Sequence, residues 1–141
     1  MTPPLEKPPQ ILLIETNLLN AELIQVTLQR KFEQLELIIV STFNEAQPYL
    51  NPQLDIILCE WQSSLEMIGI LILNELQQQQ LDIPVIVLTA YHVPEIQAEL
   101  KTINNDRSQP LILAGLFTKA ELSEATQLIK NLLTPPANSQ T

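Results

Sequence analysis

Glu15 with Thr16, Glu60, Thr89 and Lys119 stand at or just beyond the ends of four short apolar runs: ILLIE, LDIILCE, IPVIVLT and LILAGLFT. If those runs are neighbouring parallel strands, their ends converge. Carboxylate, hydroxyl and ammonium groups then meet in one crevice. The two carboxylates are hard oxygen donors of the kind a divalent cation takes, which makes Glu15 and Glu60 weak candidate ligands. Other chemistries have little support. No nucleophile is paired with a base. His92 is the only histidine; it reads as an exposed loop residue and argues against both a histidine phosphotransfer module and a His-rich metal site. Cys59 is the only cysteine, so no intramolecular disulfide can form, and it reads as a small apolar strand residue. Gly69 and Gly115 are the only glycines, whereas phosphate-cradling loops need glycines in clusters.

The elements that must position these residues alternate along the chain. Strands are expected over Ile11–Glu15, Leu35–Val40, Leu54–Glu60, Ile83–Thr89 and Leu111–Thr118. Between them, Leu19, Leu23 and Val26 recur at helical spacing, in a helix running to about Phe32. Asn44–Leu50 is a short helix disturbed by Pro48. A helix runs from Glu66 to about Gln80. Ile96, Leu100 and Ile103 mark a fourth helix, followed by a polar loop, Asn104–Pro110. Leu122, Ala125, Ile129 and Leu132 form one face of the last. Five β–α units with near-continuous apolar strands predict a doubly wound, five-stranded parallel sheet flanked by helices. Any site then lies at the carboxyl ends of the strands.

Residues 1–9 and 134–141 are rich in proline and polar residues and read as disordered tails around one domain, 10–133. The chain has 141 residues, enough for a core without disulfides. A net charge of −9 disfavours nucleic acid and anionic membranes as partners. The longest apolar run, Met67–Leu73, is far too short to span a bilayer. A cytoplasmic protein is expected. The excess apolar character of Met67–Leu73 predicts a helix wedged deep in the core or, alternatively, a partner or dimer surface.

Four segments in this order resemble the receiver domain of two-component response regulators. ILLIET is similar to its first strand, LDIILCEWQ to the strand ending in the phosphoacceptor aspartate, PVIVLTAY to the strand ending in a Thr/Ser-Ala pair, and AGLFTKAEL to the strand ending in a lysine. The resemblance covers about residues 10–133 and implies a flavodoxin-like fold of receiver type. It also implies a pocket formed by Glu15, Thr16, Glu60, Thr89 and Lys119. Lys119 matches the lysine that contacts the acceptor and the phosphoryl group, Thr89 the hydroxyl that follows that group on activation, and Glu15 the first acidic residue.

Departures from the pattern fall on the pocket itself. Thr16 stands where the family has a metal-coordinating aspartate, and Glu60 stands at the acceptor. One extra methylene moves that carboxylate by roughly 1.5 Å, where about 1 Å matters for in-line geometry. Ala120 replaces the usual proline after the lysine, Leu116 occupies the switch aromatic's position, and Gly69 falls one residue late. Within the chain, Thr16 could simply cap the loop into the first helix, Trp61 pack at a loop base, and Lys119 pair directly with Glu60 as a lock on the sheet edge.

The expectation is therefore a pseudo-receiver. It would be a non-enzymatic signalling module, without cofactor or output domain, acting through a protein partner such as a signalling protein or kinase, or through a homodimer. The rivals are a phosphorylatable Mg²⁺-binding regulator using Glu15 and Glu60, and a small flavodoxin-like ligand-binding domain or enzyme.

Overall fold

Ile11, Leu12, Leu13 and Ile14 are all buried, because β1 (Gln10–Ile14) lies inside a sheet covered on both faces. The computed structural model describes residues 7–90 and 92–134. Of the expected tails, 1–6 and 135–141 lie outside the described residues. Five parallel strands, β1, β2 (Glu36–Val40), β3 (Ile56–Cys59), β4 (Val85–Thr89) and β5 (Gly115–Thr118), are ordered β2-β1-β3-β4-β5. This is the doubly wound sheet expected from the apolar runs.

Alternating strand residues feed two cores. On one face Ile11, Leu13, Ile56, Leu58, Ile86 and Leu88 meet α1 (Leu18–Lys31) and α5 (Leu122–Leu133). On the other, Leu12, Ile14, Ile57, Cys59, Val85 and Val87 meet α2 (Phe43–Ala46), α3 (Ile68–Gln79) and α4 (Val93–Asn104). Pro48 does interrupt α2, which passes into a 3₁₀ turn at Gln47–Tyr49 with the proline in its first turn.

The structure adds detail at three elements. The buried face of α1 is Ala21, Ile24 and Leu28, while Leu19, Leu23 and Val26 are exposed. Both triplets have helical spacing, and the smaller one packs on the sheet. The last strand starts at Gly115, so Leu111–Ala114 belongs to the loop. That loop is held by its own contacts: Leu111 N–H donates to Asn104 Oδ1 and Asn104 Nδ2 to the Leu111 carbonyl, both at 2.8 Å. Leu132 is exposed on α5, whose buried residues are Ala125, Thr126 and Ile129. By contrast, the wedged reading of the third helix agrees with the structure: Ile68, Gly69, Ile72, Leu73 and Leu76 are buried and Met67, Ile70 and Leu71 half-buried. Its apolar surplus is spent inside the fold.

The C-terminus of α3 carries a local conflict. Gln80 adopts φ 57°, ψ 40°, its N–H bonds Gln77 O, and Leu81 N–H bonds Leu76 O at 2.9 Å. This left-handed cap favours glycine. Gln80→Gly is expected to raise stability by about 0.5–1 kcal/mol in urea unfolding, the saved backbone strain exceeding the added chain entropy. A loss would show that the side chain itself anchors the cap.

Candidate functional site

Glu15 directly follows β1 and continues its ladder, its N–H bonding Val40 O at 3.0 Å. Glu60 directly follows β3 and its N–H bonds Ile14 O at 3.3 Å. The two carboxylates are thus delivered by adjacent strands. Lys119 follows β5, in a turn fixed by a capping box: Thr118 N–H donates to Glu121 Oε1 at 2.9 Å and the Thr118 hydroxyl to the same oxygen at 3.2 Å. The Thr-x-x-Glu spacing signals such a turn in sequence, and it holds Lys119 without the proline that Ala120 replaces. Thr89 is buried at the carboxyl end of β4, in register with Thr118.

Glu15, Thr16, Glu60 and Lys119 are in direct contact. Lys119 Nζ lies 3.0 Å from Glu15 Oε1, 3.2 Å from Glu15 Oε2 and 3.6 Å from Glu60 Oε2. The other Glu60 oxygen accepts from both the amide and the hydroxyl of Thr16, each at 2.8 Å. The expected pairing of Lys119 with Glu60 is present, but Lys119 lies closer to Glu15, because Thr16 draws one Glu60 oxygen the other way. One expectation is corrected: Thr16 does not cap α1; Asn17 does, accepting from Asn20 N–H at 3.0 Å, while its own N–H bonds Glu15 Oε2 at 3.1 Å.

Glu15 is only 1% exposed. Burial pushes its carboxyl above the ordinary value; Lys119 and the Asn17 N–H oppose that rise, and the charge of Glu60 adds to it. Burial also pushes the Cys59 thiol up to about 12, which leaves it unreactive as a nucleophile. The cluster Glu15, Glu60 and Lys119 sums to one negative charge. A divalent cation wants several oxygens free to face it. Here one oxygen of Glu60 is taken by Thr16, and an ammonium occupies the approach to Glu15, so the donor set does not fit such an ion. Among the described residues no group of three His, Cys, Asp or Glu side chains converges.

The loop after Glu60 is firmly held. Trp61 is buried and its indole Nε1–H donates to Glu99 of α4 at 2.9 Å. Gly69 lies so close that a Cβ there would stand 2.4 Å from Trp61 Cε3. Ser63 Oγ accepts from Leu65 N–H at 3.2 Å and Glu66 N–H at 3.1 Å. Trp61 is thus the loop-base packing residue expected, with a polar tie to α4 that nothing local in the sequence announces. His92 is exposed and precedes α4. Leu116 lines an open groove with Val93, Pro94 and Thr118.

No helix among the described residues is long and apolar enough to cross a membrane. No family model matches the sequence, and no curated protein does. Solved structures do match. The Mn²⁺-bound form of response regulator Rcp1 is 23% identical, with a TM-score of 0.67 over 92% of this chain and 98% of that one. A response regulator receiver protein from Pseudomonas putida is 14% identical, with a TM-score of 0.71 over 90% and 99%. A two-component response regulator from Legionella pneumophila is 22% identical, with a TM-score of 0.67 over 88% and 97%. The chain has the receiver fold, as its four strand-end segments implied.

Proposed function

We propose that this chain is a pseudo-receiver: a signalling module that acts through protein contacts and is not switched by aspartyl phosphorylation. The observation that carries this reading is the closed pocket. Glu60, at the position of the phosphoacceptor, has one oxygen bound twice by Thr16 and the other facing Lys119 at 3.6 Å. A nucleophilic carboxylate needs a free oxygen and a cation to gather the incoming phosphoryl group. Thr16 removes the charge that would hold that cation, and its hydroxyl ties down the nucleophile instead. The lysine that would meet the phosphoryl group neutralises Glu15. Trp61, clamped between Gly69 and Glu99, extends this fixed arrangement to α4.

Such a module has no catalytic role of its own. Its surface at the strand ends is held in one state, and a protein partner, either a kinase or another signalling protein, reads that state. The net charge of −9 favours a protein partner over nucleic acid.

A magnesium titration followed by fluorescence tests the pocket. Trp61 directly follows Glu60, so its emission reports occupancy. Wild-type emission is expected to stay flat through millimolar Mg²⁺, while the double variant Thr16→Asp, Glu60→Asp shows saturable quenching. Saturable submillimolar quenching of the wild type would overturn the reading in favour of a metal-dependent regulator.

A further inference from the structure

We propose that two copies of this chain pair through the outer face of α1, in an antiparallel, two-fold arrangement. The proposal stands apart from the state of the pocket. α1 carries two apolar stripes. Ala21, Ile24 and Leu28 pack on the sheet, but Leu19, Leu23 and Val26 are 77%, 58% and 41% exposed, with Leu18 beside them at 79%. A helix with one buried face needs only one stripe. The second leaves a few hundred Å² of contiguous apolar surface, the scale that marks a contact site. It is about half of the roughly 800 Å² per partner that a standard interface buries, which matches the apolar share of such interfaces.

Spacing and charge select the occupant. Leu19, Leu23, Val26 and Arg30 fall at i, i+4, i+7 and i+11, the seam positions of paired helices. Glu22 flanks the seam and Arg30 ends it, and neither has an ion-pair partner among the described residues. In an antiparallel pair Leu23 meets Val26 of the second copy. Leu19 meets the aliphatic stem of Arg30, whose guanidinium then reaches Glu22. The face is therefore self-complementary, as a two-fold interface must be. A parallel pair would set Arg30 against Arg30. Elsewhere, copies carrying −9 each repel one another. The outer face of α1 and its last turn hold Glu22, Arg30 and Lys31, so this face does not share the net negative charge.

Sedimentation velocity of the full chain from low micromolar to millimolar concentration tests this, with circular dichroism confirming that each variant is folded. The wild type is expected to pass from monomer to dimer. Leu23→Glu, present twice in each dimer, should weaken pairing by roughly a hundredfold. Glu22→Arg should weaken it, and Glu22→Arg with Arg30→Glu should restore it. Ile112→Glu, at an exposed apolar residue outside α1, should leave it unchanged. A wild type monomeric throughout, a dimer indifferent to Leu23→Glu, or one lost with Ile112→Glu would overturn the proposal.

Discussion

Lys119→Met is expected to destabilise the fold by about 2–3 kcal/mol at neutral pH, because it strands two converging carboxylates. The figure is reduced from that for a fully buried pair because the Lys119 side chain is 21% exposed. Glu15 bears most of the loss, being buried and 3.0 Å from the ammonium, against 3.6 Å for Glu60. Adding Glu15→Gln should therefore recover about 1–2 kcal/mol of the non-additive loss, and adding Glu60→Gln clearly less. Burial already holds the Glu15 carboxyl above its ordinary value of 4.5, and Lys119 opposes that rise. Without the lysine it rises further. The native state then keeps a proton that the unfolded chain releases, so stability falls as pH rises from the ordinary value through the raised one. The variant should accordingly lose less at pH 4 than at pH 7. Urea unfolding of the double-mutant cycles measures all of this. Additive losses would show that the charges do not hold one another.

Gly69→Ala is expected to cost about 3 kcal/mol, an unusually large effect for one methyl group. The new Cβ would lie 2.4 and 2.8 Å from two carbons of the Trp61 ring. That ring cannot yield easily, since it is buried and its Nε1–H is tied to Glu99. Trp61→Ala should cost about 3–5 kcal/mol through the cavity it leaves. Combined with Trp61→Leu, Gly69→Ala should cost far less than alone, because the clash partner is gone. Thermal unfolding of wild type, the three single variants and the Trp61→Leu, Gly69→Ala double variant checks this. A neutral Gly69→Ala would mean that the Trp61 loop is loose, and that no rigid path joins the pocket to α4.

The strand ends were legible because their physics is local. Each apolar run stops at a polar residue, and parallel strands bring those residues together, so Glu15, Thr16, Glu60 and Lys119 could be named before their contacts were known. Which pairs form was not legible. Lys119 lies 104 residues from Glu15, and its choice between two glutamates depends on Thr16 holding one of them back. The Trp61–Glu99 tie is equally long-range. Periodicity marked the helix but not its buried face: both triplets of α1 recur at helical spacing, and Ala21, Ile24 and Leu28, not Leu19, Leu23 and Val26, meet the sheet. Their exposure is itself informative, since a local rule broken without compensation within the chain points to a contact outside it. Leu111–Ala114 misled for a related reason. Leu111, buried, and Leu113, half-buried, lie in a loop anchored on Asn104 and read like a strand, although Ile112 and Ala114 are exposed and the register with β4 begins only at Gly115.

Intact-mass measurement after incubation with acetyl phosphate and Mg²⁺ tests the central claim most directly, namely that the pocket is closed by its own side chains. The wild type is expected to keep its mass, because Glu60 is held by Thr16 and no cation gathers the phosphoryl group. The variant Thr16→Asp, Glu60→Asp, with Lys119 intact, is expected to gain one phosphoryl group at residue 60. A stoichiometric phosphoryl gain by the wild type, mapped to Glu60, would contradict the account.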